Sequence, residues 1–335
     1  MAEDGLLQKL NALTKHHHQR CKVYRDYIDS VFGLQEVEDI ADVPYLPARA
    51  FKNHELRSVR DDKIVKVLMS SGTTGQPSKI FLDKETSLLQ IRELSNIFKN
   101  SFGNARFPML VVDAPSTIID RKKFSARTAA INGFSMFAKS RVFALDDDYS
   151  INFQRVSDFL RANEGNRVFV FGFTFLIWKF LVERLLQCST TIDLSNSFIV
   201  HGGGWKKLEA EKVTNAEFKA TIQKTLKCLD VRNYYGMVEQ TGTISMECNH
   251  GRLHAPDNGG FLVRDLEKFD NTLTDKVGLI QVFSAIQKSY PGHSILTEDL
   301  GILSRGSDCP CGNKNHAVTV IGRLEKAEVR GCSDT

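Results

Sequence analysis

The first sixty residues carry apolar positions at helical spacing, with polar faces between them, until Pro44 and Pro47 break the pattern. They predict a helical preface, 1–60, packed on the main fold. From Lys63 onward the period switches. Short runs rich in β-branched and aromatic residues, at 64–70, 107–113, 141–145, 167–172, 197–201 and 231–235, predict strands. Between them, 84–100, 153–162, 174–187 and 206–228 predict helices, as does the stretch after Arg121. In 84–100, Leu88, Ile91, Leu94, Ile97 and Phe98 fall on one face. Strands alternating with helices predict a parallel sheet covered on both faces, here a core over 61–242. After Gly242 the runs 277–284, 294–303 and 316–322 are strand-like and separated by Gly, Asp and Asn. They predict a β-rich subdomain, 243–321, followed by a tail, 322–335.

Composition adds exclusions. At 335 residues, 42% hydrophobic and 25% charged, the chain can bury a core, and it is neither disordered nor collagen-like. No apolar run is long enough to span a bilayer. The N-terminal segment lacks the basic and apolar regions of a secretory signal, so a cytoplasmic protein is expected. The net charge of +4 comes from scattered residues and calls for no nucleic-acid partner. Seven cysteines in such a chain read as reduced thiols.

The sharpest local signal is Ser70-Ser71-Gly72-Thr73-Thr74-Gly75-Gln76-Pro77-Ser78-Lys79, directly after a predicted strand. Its glycines allow a tight turn that presents N–H groups to an anion, hydroxyls add donors, and Lys79 adds charge. It lacks the Gly-Lys-Ser/Thr ending of a P-loop. The string resembles the phosphate loop of the adenylate-forming superfamily, which includes acyl-CoA synthetases, luciferases and peptide-synthetase adenylation domains. Further resemblances follow in family order. Gly202-Gly203-Gly204-Trp205 resembles the glycine turn beside the adenine, and Tyr234-Tyr235-Gly236-Met237-Val238-Glu239 the Tyr-Gly-x-Thr-Glu motif. Thr297-Glu298-Asp299 resembles the ribose-binding segment, and Gly322-Arg323 the hinge before the small C-terminal domain.

The resemblance implies an α/β adenylate-forming fold and a set of roles. ATP would be held by Ser71, Gly72, Thr73, Thr74, Gly75, Gly203, Gly204, Tyr235, Gly236, Asp299 and Arg323. Glu239 would hold Mg²⁺, a hard cation suited to carboxylate oxygen, and Lys79 would face the phosphates. Two departures stand out. Lys79 lies one residue later than in the usual Thr-Gly-x-Pro-Lys string, and Val238 replaces a hydroxyl residue. The sequence ends soon after Arg323, so the small C-terminal domain is expected to be essentially absent.

The segment 168–174 and the ending 322–335 are similar to the LuxE-type acyl-protein synthetases of bacterial bioluminescence. That similarity implies activation of a long-chain fatty acid as acyl-AMP, capture on a cysteine, here Cys332, and delivery to a partner acyl reductase. A thiolate is a competent nucleophile toward an acyl adenylate, and Arg330 nearby favours it. An acyl- or aryl-CoA ligase is the enzymatic alternative, and a non-catalytic nucleotide-binding subunit the alternative of another class. Separately, Cys248, His254, Cys309 and Cys311 offer three sulfurs and a nitrogen for a structural zinc. Phenylacetate-CoA ligases show similar Cys/His spacing here. Reduced thiols without metal are the alternative, and His250 and His316 are spare ligands. The run His16-His17-His18 reads as a solvated helix face. The very apolar stretch 169–180 reads mostly as core, with one side available to an acyl chain.

Overall fold

A computed structural model describes residues 2–70, 76–119, 126–188, 190–205, 211–269 and 274–324. Fourteen strands are defined among them: β1 (Leu46–Pro47), β2 (Ile64–Met69), β3 (Lys79–Asp83), β4 (Phe107–Val112), β5 (Ala138–Phe143), β6 (Val168–Phe173), β7 (Ser197–Gly202), β8 (Asp230–Tyr235), β9 (Ser245–Met246), β10 (Leu253–His254), β11 (Gly259–Arg264), β12 (Val277–Ser284), β13 (Ser294–Ser304) and β14 (Ala317–Arg323).

One sheet runs β5-β4-β6-β7-β8-β9, parallel except for the last pair. Every side chain of β4, β6 and β7 is buried, as expected of a sheet covered on both faces. Successive residues alternate between two cores. Val112, Val170 and Ile199 face the helices Phe153–Ala162 and Asn215–Leu226. Val111, Phe169, Phe171, Phe198 and Val200 face the helices Lys84–Phe102 and Ala126–Phe134. The second core is unusually aromatic: Phe98 stacks on Phe137 at 3.8 Å and Phe169 on Phe198 at 5.0 Å.

The second sheet runs β10-β14-β13-β12-β11 and is antiparallel, with β1 added in parallel to β13. Its core takes in Cys21, Tyr24 and Ile28 from the N-terminal helices, so the helical preface packs chiefly on this sheet. The same core receives Leu68, Ile80 and Leu82 from the β2–β3 hairpin, the element that carries the hydroxyl-rich loop.

The alternating pattern predicted five strands of the parallel sheet and their crossovers closely, but four local readings change. The run 64–70 pairs in an antiparallel hairpin, β2–β3, outside that sheet. The helix expected over 206–228 begins at Asn215, where Thr214 and Glu217 form a reciprocal capping box that fixes the start. The helix over 174–187 contains a π-helical stretch, Ile177–Val182. His17 is fully buried rather than on a solvated face. Its Nε2–H donates to the Gln287 carbonyl (2.9 Å), so Nδ1 accepts from the Ser58 hydroxyl (2.7 Å), and its ring stacks on His293.

Burial holds His17 well below the usual histidine range, and holds His201 and His293 at about 3. These rings are neutral in the fold but take protons in the unfolded chain below about pH 6.5. The unfolded state therefore binds more protons, and stability falls as pH drops from about 6.5 toward 3. Each ring contributes up to about 1.4 kcal/mol per pH unit in that window. Denaturant midpoints should fall steeply between about pH 6.5 and pH 5. A flat profile there would show that the three rings are not buried neutral.

Candidate active site

Ligands of parallel sheets gather at the carboxyl ends of the strands, and of the predicted nucleotide residues Gly203, Gly204 and Tyr235 lie at that edge. Gly202 ends β7 beside Tyr234 of β8. The chain then turns through Gly203 (φ +83°) and Gly204 (φ +63°), in the left-handed region. A β-carbon on Gly203 would sit 2.3 Å from the Phe173 ring, so only glycine allows this close approach.

Tyr235, at the end of β8, donates its hydroxyl to Asp299 Oδ2 at 2.8 Å. Asp299 lies on β13 opposite Arg323 of β14. Arg323 Nε stands 3.9 Å from Asp299 Oδ1, while its Nη2 bonds Glu298 at 2.8 Å. Arg49 holds Glu298 from the other side. Tyr235, Asp299 and Arg323, distant in sequence, are thus one constellation where the two sheets meet. Burial pushes the Asp299 carboxyl up, against the pull of Tyr235 and Arg323.

Glu239 sits in the short turn Val238–Gln240 that follows β8, and is 6% exposed. Burial pushes its carboxyl up, offset in part by the Ser78 hydroxyl, Lys52 and Arg323. It makes no ion pair among the described residues. A buried carboxylate lacking a bonded cation fits a divalent metal. Ser78 closes the base of the hydroxyl-rich loop: its carbonyl accepts from Ser70 N (3.1 Å) and its own N–H donates to Ser70 Oγ (2.8 Å). Glu239 therefore lies at the foot of that loop. Lys79 does not join it here: its ammonium pairs with Glu55 Oε1 at 3.2 Å on the exposed face. Ser71, Gly72, Thr73, Thr74 and Gly75, like Cys332, lie outside the described residues. A small cavity of about 20 Å³ lies beside Tyr235, Gly236 and Met237, backed by Phe261 and Phe283.

The second predicted cluster also assembles. The ligand atoms of Cys248, His254, Cys309 and Cys311 all lie within 4.8 Å of one another. Two tight turns bring the sulfurs in, each with a glycine of positive φ, Gly251 and Gly312. His254 Nδ1–H donates to the Asn315 carbonyl at 2.9 Å, leaving the Nε2 lone pair for the cluster. Backbone N–H groups of His250 and Asn313 point at Cys248 Sγ (3.4 Å) and Cys311 Sγ (3.5 Å), which favours thiolates. Burial raises the Cys309 thiol, but hydrogen bonds from the Cys311 amide, His254 and the other two cysteines bring it to about 6. The four residues could hold a metal ion. The side chains of His250 and His316 are not part of the set.

Sequence reasoning missed Ser78, Gln240 and Asn315 as supporting residues. Ser78 lies inside the hydroxyl-rich string without being singled out, Gln240 borders the Glu239 motif, and Asn315 follows the Cys309-Pro310-Cys311 turn.

Solved structures define the class. A 2-hydroxyisobutyryl-CoA ligase in complex with 2-HIB-AMP and CoA superposes with a TM-score of 0.74 at 13% identity, covering 96% of this chain and 70% of that one. ATP-bound MatB from Rhodopseudomonas palustris gives 0.53 at 15% identity, over 79% of this chain and 49% of that one. The fold is that of the adenylate-forming ligases. The sequence further matches the family described as acyl-protein synthetase, LuxE, over residues 4–335, and the chain belongs to it. It is thus a ligase of the acid–thiol class. The long-chain-fatty-acid–luciferin-component ligase of Aliivibrio fischeri is 24% identical over 95% of this chain and 84% of its own length. The corresponding ligase of Vibrio harveyi is 23% identical with the same coverage.

The Gly203 turn is directly testable. Gly203→Ala adds a β-carbon against Phe173 at a left-handed φ, and should cost about 1–3 kcal/mol. Urea denaturation measures the loss. Unchanged stability would contradict the geometry of this turn.

Proposed function

We propose that this chain uses ATP and Mg²⁺ to activate a long-chain fatty acid, and then carries the acyl group on Cys332. In the first step a carboxylate oxygen of the acid attacks the α-phosphorus of ATP, and pyrophosphate leaves with the bonding pair. In the second, the Cys332 sulfur, having given its proton to solvent, attacks the acyl carbonyl carbon and AMP leaves. A partner acyl reductase then takes the acyl group from the thioester. A cytoplasmic setting keeps such a thiol reduced.

The observation that carries this reading is the convergence of Glu239, Ser78 and the Tyr235–Asp299–Arg323 set at one edge of the sheet. Asp299, braced by Tyr235 and Arg323, can accept the ribose hydroxyls. Glu239 at the foot of the loop can take Mg²⁺, which when bound would offset charge on the phosphates. The names of the two bacterial relatives support a long-chain acid. The bound CoA of the hydroxyisobutyryl-CoA ligase supports the rival, in which free CoA is the acceptor.

Pyrophosphate exchange dependent on a fatty acid tests activation. Glu239→Ala and Asp299→Ala should each lose about 2–4 kcal/mol of transition-state stabilisation. Near-wild-type exchange in both would sink the assignment. Labelled fatty acid followed on a denaturing gel tests capture. Cys332→Ala should keep exchange yet lose hydroxylamine-labile label. Ready formation of acyl-CoA by wild-type protein that takes no label would favour the CoA ligase.

We also propose that Cys248, His254, Cys309 and Cys311 hold a structural zinc, since four protein ligands leave no open position. Freshly purified protein should contain stoichiometric zinc by elemental analysis, and chelation should lower its thermal midpoint. Metal-free protein of unchanged stability would refute the site.

A further inference from the structure

Glu239 has a demanding placement. Its charge is disfavoured by burial, yet it stands on a single turn of three residues, Val238–Gln240. The turn closes on its own bonds, Gln240 N–H to the Met237 carbonyl (3.1 Å) and the Thr241 N–H (3.3 Å) and hydroxyl (2.8 Å) to the Val238 carbonyl, but so short a helix is oriented by what surrounds it. The next side chain, Gln240, is 3% exposed and spans two other segments. Its Nε2 donates to the Gly292 carbonyl at 2.8 Å and to the Val282 carbonyl at 3.2 Å. Gly292 in turn packs beneath the turn: a β-carbon there would stand 2.6 Å from the Glu239 carbonyl oxygen.

Behind Gln240 lies a second amide. Gln287 donates Nε2–H to the Thr241 carbonyl at 3.2 Å, two residues beyond Glu239. Its Oε1 accepts from the Tyr290 hydroxyl (2.7 Å) and from Gln90 Nε2 (3.2 Å). Its backbone carbonyl accepts from the buried His17. Tyr290 is fully buried, and burial together with the nearby Glu239 charge holds its phenol well above the ordinary range. The 282–293 stretch thus grips the Glu239 turn from one side, while the N-terminal helix and the helix Lys84–Phe102 grip that stretch from the other.

We infer that Gln240, backed by Gln287 and Tyr290, is a positioning residue that aims the Glu239 carboxylate at the magnesium of the bound nucleotide. This rests on the reading of Glu239 as the magnesium ligand. The Gln240 amide N–H groups are taken up by the Gly292 and Val282 carbonyls. Gln240 acts by removing the rotational freedom of a three-residue turn, and displacements of the order of 1 Å in such a group are enough to impair catalysis.

The test is the Mg²⁺ concentration giving half-maximal pyrophosphate exchange at saturating ATP and fatty acid. Gln240→Leu keeps the bulk and loses both donors, and should raise that concentration about five-fold. Tyr290→Phe, milder and expected to fold, should raise it about two-fold. Gln281→Leu is the control. Gln281 is equally buried in β12, but it bonds Arg264 and Ser294 rather than the Glu239 turn. It should lower thermal stability with magnesium dependence unchanged. If Gln240→Leu and Tyr290→Phe lose stability but keep wild-type magnesium dependence, their role is structural and the inference fails. If Gln240→Leu does not fold, Tyr290→Phe decides. Absence of exchange in wild-type protein would overturn the adenylation reading, and this inference with it. Loss of exchange in Glu239→Ala, beside unaltered magnesium dependence in the other two, would overturn this inference alone.

Discussion

The hydrogen bond from Tyr235 to Asp299 joins two sheets that otherwise keep separate cores. Tyr235 ends a strand of the parallel sheet, and Asp299 lies within the antiparallel one. Placing a carboxylate at that junction costs desolvation, and Tyr235 and Arg323 only partly return it. That imbalance has a chemical consequence. A carboxylate still short of donors can take hydroxyl groups, whereas one fully satisfied by the protein could not. Glu239 shows the same imbalance with a cation in place of hydroxyls. Both carboxylates are buried beyond what their protein partners offset.

How legible this was depends on the kind of information each feature carries. The parallel sheet was readable because a strand buried on both faces is apolar throughout, as in 107–112 and 168–173, and its crossover helices have a clear period. Short or weakly patterned strands were not. Gly259–Arg264 opens with two glycines, and Leu46–Pro47 contains a proline, yet both pair in the antiparallel sheet. The late start of the helix at Asn215 was written in Thr214 and Glu217, a capping signal outweighed by the helix-favouring charged stretch 206–213 before it.

The site shows the same division. Motif order singled out Tyr235, Glu239, Asp299 and Arg323 because each motif is local, and the fold brings Tyr235, Asp299 and Arg323 together. The supports of those residues are long-range contacts, such as Gln240 to Gly292 or His17 to Gln287, and no local pattern encodes them. His17 is the clearest case. On a helix with His16 and His18 beside it, composition suggests solvent, but the ring fills a buried position against His293. Neutral imidazole can do so because one nitrogen donates while the other accepts.

The cysteine–histidine cluster follows a related logic. Its ligands come from the β9–β10 turn, from β10 itself and from the segment between β13 and β14, and β13 also carries Asp299. Beside Cys248, the buried Glu247 carboxylate accepts from Asn233 N–H at 2.7 Å, on the strand that ends in Tyr235. The same carboxylate pairs with Lys219 at 2.8 Å. Through its neighbour Glu247 the cluster is tied to the strand that ends in Tyr235. Fixing these four side chains would tie the β9–β10 segment to the segment between β13 and β14. A closed four-ligand metal suits that task because its bonds hold rigid angles, where hydrogen bonds between thiols would let the two segments slide.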